Sequence, residues 1–289
     1  MINFCHIFPT PHLDLSRLNG SHLLLAHLIE TDEQYRSFYK NLDDQKYKIM
    51  DNGAFEKFKA GEEMYDADML LEMANDVSAD CIVLPDYPME EAIKTIEAAM
   101  EWIPSFKSHG FDTFFVPQSE RGDTEGYIES IKWALDNPEV GIIGLSILGC
   151  PIALGLEEQT YDKVSEVDSA YKMQRFLSRW KILQLLEQRG LLNDKAIGRF
   201  HCLGMVDGPN EIDLLHPYRA YIRSWDSSSA PWLGLYGGQT YDQSPTGIRN
   251  GKFESEVEFD YHTDKVENVE AALYNIEFIN SKLGVSNPS

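Results

Sequence analysis

Cys81-Ile82-Val83-Leu84-Pro85-Asp86 is four apolar residues, then a proline, then a carboxylate. Three other stretches repeat the idea. Tyr47-Lys48-Ile49-Met50 runs into Asp51, Thr113-Phe114-Phe115-Val116 runs through Pro117 into Gln118, and Ala220-Tyr221-Ile222-Arg223 leads to Asp226. Short runs rich in β-branched and aromatic residues, separated by helix-like stretches, read as buried parallel strands. In parallel α/β folds the groups at the carboxyl ends of the strands converge on one face, where ligands bind. Asp51, Asp86, Gln118 and Asp226 are therefore expected to share one pocket.

Extending the reading outward adds strands at Ile2 to Ile7, His22 to His27, Gly141 to Ser146 and Phe200 to Leu203. That makes eight. Helical spacing lies between most of them: Asp32 to Leu42, Asp66 to Val77, Met89 to His109 (broken at Pro104), Thr124 to Leu135, Asp168 to Gln188, Asn210 to His216, and Lys265 to Leu283 before Gly284. Thr31-Asp32-Glu33-Gln34 has the form of a helix N-terminus. Eight alternating strands and helices over 289 residues predict a TIM (β/α)8 barrel, one domain over 1–289. A doubly wound open sheet is the runner-up, and no Gly-x-Gly-x-x-Gly follows the first strand to support a dinucleotide fold. Long loops are expected after strand six (Leu148 to Val167) and strand eight (Ser227 to Asp264).

Composition bounds the rest. Hydrophobic residues make up 43% of the chain, enough for a large core. No apolar stretch approaches the ~18 residues of a membrane span, and the first residues lack a basic n-region and an apolar h-region. A cytoplasmic protein is expected. The four cysteines are scattered without a Cys-x-x-Cys pair, so neither disulfides nor a metal is expected. The net charge of −22 opposes phosphate binding unless a local basic patch overcomes it. Candidates for that patch are Lys172, Arg175, Arg179 and Lys181, or Arg249 and Lys252.

Each strand-end residue permits specific chemistry. Asp51 in Asp51-Asn52-Gly53-Ala54-Phe55 suits an acid/base, with Phe55 able to stack on a flat ligand. Asp86, stiffened between Pro85 and Pro88, suits a fixed acceptor for donors on a base edge. Gln118 offers both donor and acceptor. Gly144-Leu145-Ser146 lets backbone amides approach a ligand. Asp226, in Ser224-Trp225-Asp226-Ser227, suits a nucleophile attacking an anomeric carbon.

In this order the motifs resemble the tRNA-guanine transglycosylase superfamily. Asp51-Asn52-Gly53-Ala54-Phe55 resembles its Asp-Ser-Gly-Gly-Phe motif, and Gln118 its Gln-Gly segment. Gly144-Leu145-Ser146 resembles the glycine-leucine turn that holds the base carbonyl. His201-Cys202-Leu203-Gly204-Met205 resembles the Tyr-Leu-Met-Gly stretch, with Asp207-Gly208-Pro209-Asn210-Glu211 following, and Asp226 falls where the family carries its nucleophile. The resemblance runs from Asp51 to Asp226. The family's tRNA enzymes carry a Cys-x-Cys-x-x-Cys and His zinc site after the nucleophile; here no cysteine follows Cys202. With no room for an RNA-binding domain either, the chain is similar to the zinc-free, phage-type 7-deazaguanine DNA transglycosylases.

The resemblance implies a base exchange without cofactor or metal. Guanine in DNA, less favourably in tRNA, is replaced by a 7-deazaguanine such as preQ0. Asp226 attacks C1′, Asp51 handles the proton, and Asp86, Gln118, Gly144, Leu145 and Ser146 hold the base with Phe55 and Met205. The expected partners are DNA, the free base, and a helper subunit or a second copy of the chain. Two rival readings remain. One is a glycoside hydrolase with Trp225, Trp232, Tyr236 and Tyr241 lining its sugar subsites. The other is a non-catalytic nucleobase-binding or interaction protein.

Overall fold

The structure is a computed structural model, and it describes residues 2–156, 169–248 and 268–284. Its framework is one parallel sheet of eight strands: β1 (Asn3–His6), β2 (His22–Leu24), β3 (Lys48–Met50), β4 (Cys81–Val83), β5 (Asp112–Phe115), β6 (Ile142–Ser146), β7 (Phe200–Leu203) and β8 (Ile222–Ser227). Every neighbouring pair from β2 through β8 is parallel, and β8 pairs with β1. The chain is a single-domain TIM barrel.

Between β1 and β2 a side chain completes the closure. Gly20 donates its N–H to the Phe4 carbonyl at 3.3 Å. Asn19 accepts from the His6 N–H at 3.0 Å and donates to the His6 carbonyl at 2.8 Å, so its amide replaces a strand rung. Buried backbone groups must be paired, and this asparagine pairs them where the sheet does not.

The outer layer is α1 (Ala26–Thr31), α2 (Glu33–Lys40), α3 (Ala54–Ala60), α4 (Ala67–Asp76), α5 (Ala92–Ser108), α6 (Thr124–Asp136), α7 (Gly149–Ala153), α8 (Ser169–Phe176), α9 (Ser178–Gln188), α10 (Glu211–Leu214), α11 (Ser229–Gly237) and α12 (Val269–Leu283). Acidic caps start several of them. The Asp32 carboxylate accepts from the N–H groups of Gln34 and Tyr35, and Asp66 accepts from Met69. Such caps satisfy donors that the first helical turn leaves orphaned.

Several expectations need correction. The stretch His22 to His27 is strand only to Leu24, and α1 begins at Ala26. Pro104 does not break α5, which runs on to Ser108. The carbonyl that loses its partner belongs to Met100, on an exposed face where water can satisfy it. The run Asp168 to Gln188 forms two helices, α8 and α9. The segment after β8 opens with the nine-residue helix α11, not a loop, and Pro231 sits in its first turn, where proline is tolerated. A Cβ on Gly234 would lie 2.0 Å from the Ala272 nitrogen, so glycine lets α11 press against α12. Residues 157–168 and 249–267 of the two expected loops, including Arg249 and Lys252, lie outside the described residues.

Among the described residues, no helix is long and apolar enough to cross a membrane.

Candidate active site

Strand register decides which residues look into the barrel, because paired residues on neighbouring parallel strands share a face and successive residues alternate. Gly144 pairs with His201, and His201 with Ser224. Phe114 and Val116 belong to the same interior, since a Cβ on Gly144 would lie 2.8 Å from Phe114 Cε2 and 3.1 Å from Val116 Cγ2. Ser224 and Asp226 are two apart on β8 and both bond to His201, so both point inward. Cys5 pairs with Asp226 and faces the same way. Asp51, two residues beyond the inward-facing position Ile49, stands at the carboxyl end of β3.

Two clusters meet at this mouth. The first joins β3, β4 and β5. Asn52 donates to Asp86 Oδ1 at 2.7 Å and to the Leu84 carbonyl at 2.7 Å. Gln118 donates to Asp86 Oδ2 at 2.6 Å. Asp86, Gln118 and Asn52 are all buried. Burial pushes the Asp86 carboxyl up to about 6, against the lowering effect of those two bonds. Asp86 thus uses both oxygens to orient two amides. The Gln118 Oε1 that faces away from it is buried and has no protein partner among the described residues. A buried acceptor left empty costs free energy, so this atom is open to an N–H donor.

The second cluster joins β7 and β8. Asp226 Oδ1 accepts from His201 Nε2 at 2.9 Å and from the Gly204 N–H at 3.2 Å. His201 Nδ1 meets Ser224 Oγ at 2.7 Å. Among the described residues, Asp226 Oδ2 accepts nothing. Cys5 sits beside this carboxylate, but burial pushes its thiol up to about 12. It is a neutral neighbour and no competing nucleophile.

Asp51 links the clusters. Its Oδ2 accepts from the Gly53 N–H at 3.0 Å, and Gly53 takes the left-handed conformation that this turn requires. Burial raises the Asp51 carboxyl well above the usual carboxylate range. The charge of Glu56 adds to this, and those of Asp86 and Asp226 add further. Asp226 and Asp86 thus lie close enough to act on Asp51 electrostatically, and neighbouring carboxylates disfavour one another's ionisation.

Other expected site residues have different places. The empty side of Gly144 is filled by Leu203 as well as by Phe114, so its missing side chain serves packing beneath the mouth. Leu145 faces outward, and its carbonyl accepts from Arg179 Nη1 at 3.2 Å. Ser146 Oγ accepts from the N–H groups of Leu148 and Gly149, holding the turn into α7. Met205 is fully buried, and its carbonyl accepts from Ser229 Oγ. Phe55 belongs to α3, but its side chain lies outside the described residues.

Sequence reading missed Asn52, His201, Ser224 and Gly204 as site members. The signal was present for one of them: Ser224 stands two residues before Asp226, the spacing of one strand face. Arg175 and Arg179, two candidates for a basic patch, are instead paired with carboxylates. Arg179 is fully buried, paired with the equally buried Glu211 through Nε–Oε1 at 2.6 Å. It also donates to the carbonyls of Leu145, Leu203 and Gly204. Arg175 pairs with Asp207. Among the described residues there is no cluster of His, Cys, Asp and Glu suited to a metal.

In comparisons with known proteins, the chain matches no family model and no curated relative.

Proposed function

We propose that this chain is a base-exchange transglycosylase of the tRNA-guanine transglycosylase type, acting on guanine in nucleic acid and inserting a 7-deazaguanine such as preQ0. The observation that carries the reading is the pairing of unequal carboxylates at one barrel mouth. Asp226 is held by two N–H donors on a single oxygen, with the other oxygen unclaimed among the described residues. At the same mouth, burial and neighbouring charge raise the Asp51 carboxyl well above the usual carboxylate range. One is equipped to attack and the other to protonate, the division of labour that glycosyl transfer needs.

In the proposed reaction, guanine is first turned out of the stack, since C1′ is inaccessible in a closed duplex. Asp226 Oδ2 forms a bond to C1′ as the C1′–N9 bond breaks. The electron pair leaves with guanine, and Asp51 supplies the proton. The incoming deazaguanine loses its proton to Asp51 and attacks C1′ from the side guanine left, releasing Asp226. Two displacements retain configuration and need no metal. Gln118 Oε1 accepts from the base, and Asp86 and Asn52 hold that amide in place.

DNA is favoured over tRNA because no Cys-x-Cys-x-x-Cys pattern follows Asp226. Of the four aromatics a glycosidase would use, Trp225, Trp232 and Tyr241 are buried, with Trp225 packed under Arg179 at 5.1 Å, while Tyr236 is half-buried.

The test is incubation with DNA and, separately, with tRNA, each with radiolabelled guanine or preQ0. Label entering DNA supports the proposal in full, and label entering tRNA alone corrects the substrate. Label in neither polymer, with folded protein, refutes it.

A further inference from the structure

Three buried side chains form a continuous line in the barrel: Ser224 Oγ to His201 Nδ1 at 2.7 Å, then His201 Nε2 to Asp226 Oδ1 at 2.9 Å. The types match a serine hydrolase triad, but the geometry runs the other way. Ser224 precedes Asp226 by two residues on β8, so it lies about 6–7 Å deeper in the barrel. A serine nucleophile must face the substrate. Here the carboxylate is at the mouth and the serine is behind the imidazole.

We infer that His201, oriented by Ser224, is a positioning residue for Asp226: its Nε2–H fixes which carboxylate oxygen attacks and takes up the charge when that carboxylate leaves. This deepens the transglycosylase reading and rests on it. With Oδ1 held by His201 and Gly204, Oδ2 is the oxygen that no described residue occupies and the one that bonds to C1′. In the first displacement the Oδ2–C1′ bond forms and negative charge moves from Asp226 to the departing base. In the second, that bond breaks and the pair returns to the carboxylate. Both N–H donors sit where this charge reappears, so their larger effect falls on release of Asp226 from the sugar. Ser224 supports the arrangement by donating its O–H to Nδ1, which leaves the ring proton on Nε2. Phe114 packs on the ring at 5.2 Å and restrains its tilt.

Three variants and one spectrum test this. His201→Phe keeps an aromatic ring against Phe114 but removes the donor, His201→Gln restores an N–H near the Nε2 position, and Ser224→Ala loosens the ring. Losing a hydrogen bond to a charged reacting group corresponds to about 10- to 100-fold in turnover. His201→Phe is expected to lose that much kcat with little change in KM for the free base. More of it should also stand as the covalent Asp226 adduct at steady state. His201→Gln should recover most of the loss. A structural role alone would not raise the adduct fraction. Unchanged kcat and adduct in a folded His201→Phe protein overturn the inference.

Nitrogen-15 NMR of labelled histidine decides the same point without turnover, and without the His201→Phe protein. The expected result is the Nε2–H tautomer, with a resonance that shifts in Asp226→Asn and in Ser224→Ala. An Nδ1–H tautomer overturns the inference. Absence of any base exchange by the natural chain would sink the transglycosylase reading, while the spectrum still reports on the His201–Asp226 contact.

Discussion

Replacing Arg179 by methionine tests the frame that carries the nucleophile. Arg179 is enclosed by protein and makes five donations: two to Glu211 and one each to the carbonyls of Leu145, Leu203 and Gly204. Gly204 in turn donates to Asp226. Methionine fills similar space and makes none of these bonds. Glu211 then stays buried without its hydrogen-bonded counter-charge, and breaking one side of a buried pair costs about 3–5 kcal/mol. For a domain of this size that is a fall of about 6–10 °C in Tm, at ~2 °C per kcal/mol. The sign with pH follows from Glu211. Burial already raises its carboxyl above the ordinary value, with Arg179 pulling it down. Without Arg179 the folded-state pKa rises further. A raised carboxyl opposes folding once pH exceeds its unfolded value of ~4.3, and the penalty is complete above the folded value. The deficit of Arg179→Met should therefore be large at pH 7.5 and smaller at pH 5. Arg179→Met combined with Glu211→Leu removes the stranded charge and should recover most of the loss. Denaturant titrations of the three proteins at both pH values measure this. A single-variant cost under about 1 kcal/mol, or a deficit that grows on acidification, would refute the reasoning.

Further outcomes follow from the same geometry. Asp226→Asn should abolish base exchange while thermal unfolding stays close to that of the natural chain, read by label incorporation beside a melting curve. Asp86, raised by burial to about 6, binds a proton in the folded state over a window where the unfolded chain has lost it. Its contribution to stability should fall as pH rises from about 4 to about 6, and the difference in stability between the natural chain and Asp86→Asn should change across that window and stay flat above it. Exchange should slow as pH rises through the raised Asp51 value, because the acid that protonates the leaving base is being lost; a rate still climbing at alkaline pH would remove Asp51 from that role. Gly144→Ala places a methyl 2.8 Å from Leu203 Cδ1 and Phe114 Cε2, and overpacking of this kind should cost about 1–3 kcal/mol in denaturant unfolding.

The strands were readable because a parallel barrel buries them on both faces. Cys81-Ile82-Val83-Leu84 has no polar residue to confuse the pattern. β8 was read too short for the converse reason. Its Ser224 and Asp226 look polar in sequence but point inward to His201, so the strand runs on to Ser227 past the apolar run that ends at Arg223. The short helices escaped notice because their composition imitates loops; Ser229-Ala230-Pro231 opens α11, and Gly149-Cys150-Pro151 opens α7. The carboxylates at the mouth were legible from their places after strands. The buried ion pair behind them was not, since Arg179 and Glu211 lie on helical runs where a buried charge and a solvated one look alike. Only the fold brings them within hydrogen-bonding distance. The same holds for Asn52, whose neighbours Asp51 and Gly53 drew the reading toward the turn and away from Asp86.

Mass spectrometry of the chain quenched during turnover tests the central claim most directly. With guanine-containing DNA and a 7-deazaguanine present, the peptide spanning Asp226 should carry a sugar-linked nucleic-acid fragment, and Asp226→Asn should carry none. Base exchange with the adduct on a different residue, or with no adduct under conditions that trap glycosyl esters, would contradict the account.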